Sequence, residues 1–334
     1  MAEIRKASAA REGELRKFYE AAFPERAAFL AEHWEWLYRV GRFPGIEPLI
    51  LVEGERVVGH AGAIPVMVSR LGAVAPAIWF VDFKILPEYQ GKGLGKTLTA
   101  AWMQMCPDRI TFCNERSMAV FRALGWSERS DAKVRSSPFE LSGPLRARYG
   151  IAGAVAGTVL GGPVRLALKA RTYGAPELKV EPILNSAGGL AERLDDPSAP
   201  TRLVRDSDWM RWRLLENPRM DEHRLASSGG VNAVFRLLTS LGRKRAHLLH
   251  VGPGPAPARA GLVKAFTRWA LEQGVDDAWL ATSDAALLAA AAPVLTRSHP
   301  LRFAWHSADA TVTAALGGPL PTQGIDSDHD LMFP

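Results

Sequence analysis

Short runs of apolar residues, separated by glycine, proline and charged residues, recur along the whole chain and predict strands that alternate with helices. Two early runs turn at Gly54 and predict a hairpin. A later run is almost entirely apolar and leads through Pro-Glu-Tyr into a glycine-rich loop and then a helix. This order of elements indicates an α/β protein. The predicted strands of this part cover residues 48–53, 57–70, 77–86 and 109–114.

The glycine-rich loop carries glycine at every second position of residues 91–95, directly after Gln90. Backbone N–H groups in such a loop converge on an anion, because glycine has no Cβ that would obstruct the approach. The helix that follows directs the positive end of its dipole to the same point, and Lys92 and Lys96 add positive charge. The loop therefore predicts a binding site for a phosphate or pyrophosphate group.

Two nucleotide-binding motifs do not fit this loop. The dinucleotide fingerprint G-x-G-x-x-G needs a different glycine spacing, and residues 91–97 do not match the P-loop pattern. The pattern Gln90-x-x-Gly93-x-Gly95 instead resembles the coenzyme A loop of the GNAT superfamily of N-acyltransferases. Residues 114–126 are similar to that family's motif N-x-x-[SA]-x-x-x-[YF]-x-x-x-G-[FW], so the resemblance covers residues 77–126. The alternative is an exposed glycine turn before an ordinary helix.

The resemblance implies acyl-CoA as the co-substrate, with its pyrophosphate on the loop and its pantetheine arm between two splayed strands. It implies a backbone N–H near Phe83 that stabilises the developing oxyanion. Phe121 stands where many members of the family have a tyrosine that protonates the leaving thiolate, so no side chain is assigned as the general acid. Asn114 binds the pantetheine arm or caps the following helix. The implied cofactor-binding residues are Phe83, Ile85, Leu86, Gln90, Gly91, Lys92, Gly93, Leu94, Gly95, Lys96, Asn114 and Phe121.

Three side chains are candidates for taking a proton from the acceptor amine. Asp82 is a carboxylate in an otherwise apolar strand, where it serves function or pairs with a cation such as Lys84. His60 lies in the neighbouring predicted strand and is suited to act as a base, although a lone histidine in a strand is also a common core residue. Glu115 follows the next strand. Cys113 is discounted as a nucleophile, because a buried strand cysteine is usually inert.

Length and composition are those of a globular protein with two domains. The chain has 334 residues, of which 47% are hydrophobic and 23% charged. Two cysteines, no Cys/His spacing typical of a metal site and a charged N-terminus indicate a reducing cytoplasm, no metal and no signal sequence. The net charge of +6 favours anionic partners: coenzyme A phosphates or an anionic membrane surface. Nucleic acid is disfavoured because no basic stripe is interleaved with aromatic residues.

The chain divides into a domain that resembles a coenzyme A-binding domain over residues 1–145, a connector over 146–185 and a second domain over 186–334. The second domain resembles a degenerate copy of the first, since similar segments recur in the same order. The phosphate loop does not recur, because prolines at its expected place remove backbone donors. The corresponding segments are 33–44 with 208–218, 50–68 with 223–238, and 91–125 with 261–273, 277–282 and 285–294.

These patterns predict tandem GNAT-like domains, each a mixed, mostly antiparallel sheet flanked by helices. Only the first copy is expected to bind acyl-CoA, and the second is expected to shape the acceptor site. The alternative is an unrelated α/β domain with similar local patterns.

The connector contains an uncharged, glycine-rich run over residues 150–164 with arginine and lysine on both sides. The run is too short to cross a bilayer, which needs about 20 apolar residues. Gly153, Gly157 and Gly161 have a spacing that makes one helix face smooth enough for close packing. Two interpretations remain open: a helix packed against the protein, or a shallow contact with a membrane surface.

The function expected from the resemblance is transfer of an acyl group from acyl-CoA to a primary amine. The connector and the positive charge favour a lipid amine, such as a sphingoid base, as in the bacterial ceramide synthase among tandem proteins of this kind. The expected location is the cytoplasm, at the inner membrane surface. Two alternatives are N-acetylation of an amino sugar or small amine, and a non-catalytic protein that binds coenzyme A.

Overall fold

The computed structural model describes residues 2–11, 13–113, 115–186, 188–240, 242–291, 297–318 and 320–327. The strands are β1 Glu3–Lys6, β2 Leu49–Glu53, β3 Arg56–Arg70, β4 Ala73–Ile85, β5 Asp108–Cys113, β6 Ser127–Arg129, β7 Lys133–Pro138, β8 Lys179–Pro182, β9 Arg202–Leu203, β10 His223–Ser228, β11 Val231–Ser240, β12 Arg243–Val251, β13 Asp277–Thr282, β14 Arg297–Pro300 and β15 Arg302–Ser307. The helices are α1 Glu14–Ala22, α2 Ala27–Leu37, α3 Leu94–Met103, α4 Glu115–Ala123, α5 Ser142–Arg171, α6 Leu190–Leu194, α7 Ser207–Met210, α8 Ala256–Glu272, α9 Ala285–Ala290 and α10 Ala310–Gly317.

The strands form two sheets that repeat one plan. The first sheet has the order β1-β2-β3-β4-β5-β15-β6, with β9 on the free stretch of β3, and the second has the order β14-β7-β13-β12-β11-β10-β8. Each sheet is antiparallel except for one central pair, β4 with β5 and β12 with β13. The predicted fold class, two mixed and mostly antiparallel sheets flanked by helices, is confirmed.

The two sheets exchange strands. β7 lies within the predicted first domain but pairs with β13 and β14 in the second sheet. β15 lies within the predicted second domain but pairs with β5 and β6 in the first sheet. The boundaries predicted at residues 145 and 186 therefore do not separate two independent sheets, because each sheet is completed by a strand from the other part of the chain.

Alternate residues of β4 enter two different cores, as the two-residue period of a strand requires. Ile78 and Phe80 pack with α3 and α4 residues such as Leu98. Trp79 and Val81 face α1, α2 and the second half of the chain, in a cluster that also holds side chains of β11, β12 and α7. This shared core joins the two sheets into one body.

Several predicted helices have different limits in the structure. The segment 33–44 is helical only as far as Leu37 of α2, since Arg39 and Gly41 have positive φ angles that end the helix. The segment 261–273 is part of α8, which begins earlier, at Ala256 directly after Pro255. The segment 285–294 is helical over α9, and residues 292–294 lie outside the described residues.

The connector forms the long helix α5, which reverses direction at Gly150, where φ is +65° and ψ is −147°. A Cβ on Gly153 would lie 2.1 Å from the carbonyl oxygen of Leu145, and one on Gly157 would lie 2.4 Å from the Cα of Ser142. The predicted close packing is therefore confirmed at these two glycines. At Gly161 an added Cβ would meet open space.

Candidate active site

A cleft of about 640 Å³ opens where β4 and β5 diverge. The two strands pair only at Ile78 with Arg109 and at Trp79 with Ile110. Beyond these pairs, the Thr111 hydroxyl donates to the carbonyl oxygen of Phe80 at 2.8 Å and closes the apex of the opening. The lining of the cleft includes Glu25, Arg26, Asp82, Phe83, Cys113 and Phe121.

A β-bulge shapes β4 at the edge of this cleft. His60 of β3 pairs with Lys84 and Gly62 pairs with Val81, so Asp82 and Phe83 together face a single residue of β3. Asp82 has a φ of +48°, a conformation that is uncommon for residues other than glycine. The bulge turns both residues toward the cleft, which they line.

The Asp82 carboxylate is buried and fully engaged. Arg26 Nη1 lies 2.6 Å from Oδ1, and the Tyr38 hydroxyl donates to Oδ2 at 2.9 Å. The side chains of Asp82 and Arg26 are only 4% and 8% exposed. Arg26, not Lys84, is thus the cationic partner, because the bulge breaks the strand alternation on which the Lys84 pairing depended. With both oxygens bonded, Asp82 is better placed to hold Arg26 at the cleft than to act as a free base.

His60 supports the bulge from the core side. Its Nδ1 lies 2.9 Å from the carbonyl oxygen of Asp82, so this nitrogen carries the proton and donates, and Nε2 accepts from the Tyr19 hydroxyl at 3.3 Å. Burial lowers the pKa of His60 and keeps the imidazole neutral. Burial, and next the charge of Asp82, raise the pKa of Tyr19 and of Tyr38, so both phenols stay protonated as donors. His60 lies outside the cleft lining, as a positioning residue for the Asp82 backbone.

Glu115 lies at the start of α4, outside the cleft. Its carboxylate forms ion pairs with Arg122 at 3.2 Å and with Arg302 of β15, and its side chain is 62% exposed. These contacts join α4 to the exchanged strand. They argue against the catalytic role predicted for Glu115.

The glycine-rich loop joins β4 to α3 as predicted. Gly91 and Gly93 have φ angles of +77° and +75°, and Gly93 precedes the first helical residue of α3. The Gln90 side chain donates to the carbonyl oxygen of Ile85 at 2.8 Å and ties the loop to the strand. Within the described part of the chain, the backbone N–H groups of residues 91–96 donate to no protein acceptor. Six such donors at one helix N-terminus are available to an anion.

The loop continues directly into the cleft through Phe83. A Cβ on Gly95 would lie 3.3 Å from the Phe83 ring, so a larger residue at this third position would require that ring to shift. Leu94 is half-buried, and Lys92 and Lys96 are exposed, with Lys92 Nζ 5.0 Å from the centre of the Tyr89 ring. Ile85 and Leu86 are buried below the loop, where the Leu86 N–H donates to Val58.

The far wall of the cleft belongs to β5 and α4. Phe121 is buried, and its ring packs against Phe80 at a centroid distance of 5.4 Å, so the position of the expected tyrosine is occupied by a core residue. Burial, and next the charge of Glu128, raise the pKa of Cys113 to about 12, so its thiol stays protonated. Asn114 lies outside the described residues.

Sequence reasoning missed the loop between α1 and α2, which forms the near wall of the cleft. This loop contributes Phe23, Glu25 and Arg26 to the lining. Glu25 is exposed and, among the described residues, forms no hydrogen bond or ion pair. The available signal was the Phe-Pro-Glu-Arg break between two helical segments, which marks a loop but no chemistry.

The second sheet has an equivalent opening between β12 and β13, and the side chain of Gln323 occupies it next to Val251. Gln323 accepts from the Val251 N–H at 2.8 Å and donates to the Val251 carbonyl at 2.9 Å, and it bridges to Thr282 of β13. The connection to α8 carries Pro253 and Pro255 in place of a glycine loop. Gln323 therefore fills the space between β12 and β13 beside Val251, and the two prolines remove backbone donors from the connection to α8.

Comparisons with known proteins agree with this geometry. Residues 11–126 match the model of the acetyltransferase (GNAT) family. No curated protein sequence matches the chain. A GCN5-related N-acetyltransferase from Kribbella flavida has a similar structure, with a TM-score of 0.57 at 14% identity over 92% of this chain and 72% of that one.

Two further structures share the fold. N-myristoyltransferase from Saccharomyces cerevisiae with bound myristoyl-CoA has a TM-score of 0.55 at 11% identity over 91% of this chain and 78% of that one. A glucosamine N-acetyltransferase region of a fungal multi-domain β-N-acetylglucosaminidase has a TM-score of 0.56 at 12% identity, over 91% of this chain and 38% of that one. The GNAT fold thus extends over nearly the whole chain, beyond the segment that the family model matches.

Proposed function

We propose that this chain is an N-acyltransferase that moves an acyl group from acyl-CoA to a primary amine by direct attack. The observation that carries the proposal is the continuity between the unpaired N–H groups of residues 91–96 and the cleft between β4 and β5. The loop offers donors to a pyrophosphate, and the diverging strands leave room for an extended thioester arm.

The reaction needs a neutral amine, an electrophilic carbonyl and a leaving thiolate. The ammonium form of the amine loses one proton to a carboxylate or to water, and the neutral nitrogen attacks the thioester carbon, which forms the C–N bond and an oxyanion. Collapse of this intermediate breaks the C–S bond. The nitrogen then loses its second proton, which passes through water to the coenzyme A thiolate. A backbone N–H of the bulge at Phe83 is the proposed oxyanion donor, because the bulge faces the cleft.

Glu25 is the carboxylate that we assign to the incoming amine. It lines the cleft on the wall opposite β5, and it is not held by another residue, whereas the oxygens of Asp82 are bonded to Arg26 and Tyr38. Glu25→Gln should lower kcat/KM for the amine about tenfold or more while KM for acyl-CoA stays unchanged. Glu20→Gln, an exposed carboxylate of α1, is the matched control.

The acceptor that we favour is a lipid amine such as a sphingoid base, which would make the reaction a ceramide-type synthesis. Its support is the aromatic lining of the cleft, including Phe23, Phe112 and Phe121. The alternative acceptor is an amino sugar or another small amine, and its support is the similarity to the fungal glucosamine N-acetyltransferase region.

The test measures free coenzyme A and acylated product with acyl-CoAs of graded chain length, using sphinganine or glucosamine as the acceptor. Turnover with long chains and sphinganine is the expected result. Turnover confined to acetyl-CoA and glucosamine would replace the lipid acceptor with the small amine. Binding of acyl-CoA without any acylated acceptor would point to a non-catalytic coenzyme A-binding protein.

The cofactor site has its own test. Lys92→Glu/Lys96→Glu should raise KM for acyl-CoA about tenfold or more with a small change in kcat, because both charges lie beside the proposed pyrophosphate site. Lys179→Glu, on the exposed edge strand β8, should leave KM unchanged.

A further inference from the structure

The second helical segment of α5 exposes an apolar surface, which we call the outer face. Its large side chains are all apolar, yet they are as exposed as charged side chains usually are. Their exposed fractions are 80% for Ile151, 61% for Val155, 69% for Val159 and 70% for Leu166.

The opposite side of the same helix is already packed. Gly153, Gly157, Val164 and Leu168 are its buried residues, and the last two belong to the core of the second sheet. The outer face is therefore separate from the side of the helix that packs against the protein. A surface helix normally exposes polar residues and buries apolar ones, and here both sides are apolar.

The charges around the outer face have a single sign. Residues 141–176 contain five basic residues and no aspartate or glutamate. Two exposed tyrosines, Tyr149 and Tyr173, lie at the ends of the second helical segment. Cations and tyrosines around an apolar patch match the headgroup region of an anionic bilayer. The five basic residues are Arg146, Arg148, Arg165, Lys169 and Arg171.

The geometry favours a helix that lies on a membrane rather than one that crosses it. The whole of α5 is long and apolar enough to be a candidate span by length and composition. The reversal at Gly150 shortens the uncharged run to residues 151–164, which extend about 21 Å as a helix, less than the roughly 30 Å of a hydrocarbon core. An interfacial helix needs only to insert one face by about 5–10 Å.

We infer that the outer face of α5 docks this protein onto an anionic lipid bilayer, with the apolar residues inserted and the flanking cations on lipid phosphates. The inference rests on the surface of α5 alone and does not depend on acyl transfer. Docking would also bring the protein to the place where a lipid amine is found.

The experiment is flotation of the full chain with vesicles of phosphatidylcholine alone or of phosphatidylcholine with phosphatidylglycerol, without acyl-CoA or acceptor. We expect flotation with the anionic vesicles only, and a loss of binding as salt is raised. Val155→Glu/Val159→Glu should reduce the bound fraction at least tenfold. Arg146→Glu/Arg148→Glu should weaken binding by a similar factor, since each cation near an anionic surface contributes to the attraction.

Leu184→Glu is the matched control, because Leu184 is 52% exposed but lies outside α5. It should float like the unchanged protein. A thermal unfolding transition of each variant establishes that it is folded. We expect Val155→Glu/Val159→Glu to fold, because both side chains are exposed. Equal flotation of Val155→Glu/Val159→Glu and the unchanged protein would overturn the inference. So would a stable dimer that the same variant dissociates, in a protein that binds neither kind of vesicle.

Discussion

Trp36 and Trp212 form a reciprocal pair across the two halves of the molecule. The indole N–H of Trp36 donates to the carbonyl oxygen of Trp212 at 3.1 Å, and that of Trp212 donates to the carbonyl oxygen of Trp36 at 2.8 Å. Each residue lies in the aromatic-basic segment that the sequence pairs between the copies. A symmetric contact between equivalent segments is what a tandem repeat with an approximate two-fold relationship produces.

This pair should couple the stability of the two halves. Trp212→Phe removes one hydrogen bond of the pair and leaves the Trp36 carbonyl with the Arg39 N–H as its donor, so we expect a loss of about 1 kcal/mol in the free energy of unfolding. Trp36→Phe/Trp212→Phe should lose less than the sum of the single variants, because the single variants share one contact. Urea unfolding followed by circular dichroism measures both.

Trp126→Phe is a suitable control for that cycle. The indole N–H of Trp126 is buried without an acceptor among the described residues, so its removal leaves no partner unsatisfied. Trp126→Phe should lower the free energy of unfolding by less than Trp212→Phe does. Strict additivity of the two single variants would show that the reciprocal bonds are not coupled.

The local features of the site were readable from the sequence, and the long-range ones were not. Gly91 and Gly93 adopt positive φ angles that only glycine takes freely, so the loop could be predicted from residue types alone. The φ of +48° at Asp82 has no such signal, because aspartate also fits a regular strand. Its pairing with Arg26 joins residues 56 positions apart and depends on the fold of the intervening hairpin.

The strand exchange escaped prediction for a related physical reason. β7 and β15 occupy equivalent positions, each beside the parallel strand pair of its sheet, and both are strands of six residues. Nothing in the sequence of either strand indicates which of the two sheets it joins. The order of elements was therefore predictable, whereas their assignment to one sheet or the other was not.

The Arg26–Asp82 ion pair should be a large contributor to folding. Asp82→Asn keeps a residue that tolerates the positive φ, but it leaves the Arg26 charge buried without its counterion. Removal of one member of a buried pair costs about 3–5 kcal/mol. Arg26→Met/Asp82→Asn should cost less than Asp82→Asn alone, because it leaves no unpaired charge. Chemical denaturation with two spectroscopic probes tests this, and a loss below about 1 kcal/mol for Asp82→Asn would contradict it.

Two buried histidines should make the protein less stable in mild acid. Burial lowers the pKa of His60, and burial with the charge of Arg205 lowers that of His250 well below its ordinary value. Below about pH 6.5 the unfolded chain binds protons that the folded protein does not, so stability falls as pH falls. Each such histidine contributes a slope of up to about 1.4 kcal/mol per pH unit in this range.

Replacement of His250 isolates one of these contributions. His250→Gln retains a donor toward the carbonyl of Leu194, which His250 Nε2 contacts at 2.6 Å, and removes the titrating group. The variant should lose less stability than the unchanged protein between pH 6.5 and pH 5. Denaturant titrations at several pH values give the slopes, and parallel curves for His250→Gln and the unchanged protein would refute the assignment.

The exchanged strand β15 should decide whether the first sheet folds alone. A fragment of residues 1–141 lacks β15, which lies between β5 and β6, so it leaves those two strands without their common partner. We expect this fragment to unfold without a cooperative transition and to bind no coenzyme A.

A fused version restores the pairing of β15 but still lacks the β11, β12 and α7 side chains of the shared core. We therefore expect it to unfold more cooperatively than the fragment and to be less stable than the full chain. The Leu301 N–H donates to the carbonyl of Ala132 at 2.9 Å, so a short glycine-containing linker can join residues 1–132 to residues 301–318 without moving β15. Circular dichroism melting and calorimetric titration with coenzyme A compare the two proteins. In the fragment without β15, β5 is held to the sheet only by its two paired positions with β4. Cooperative folding of that fragment would show that the first sheet does not depend on the exchanged strand.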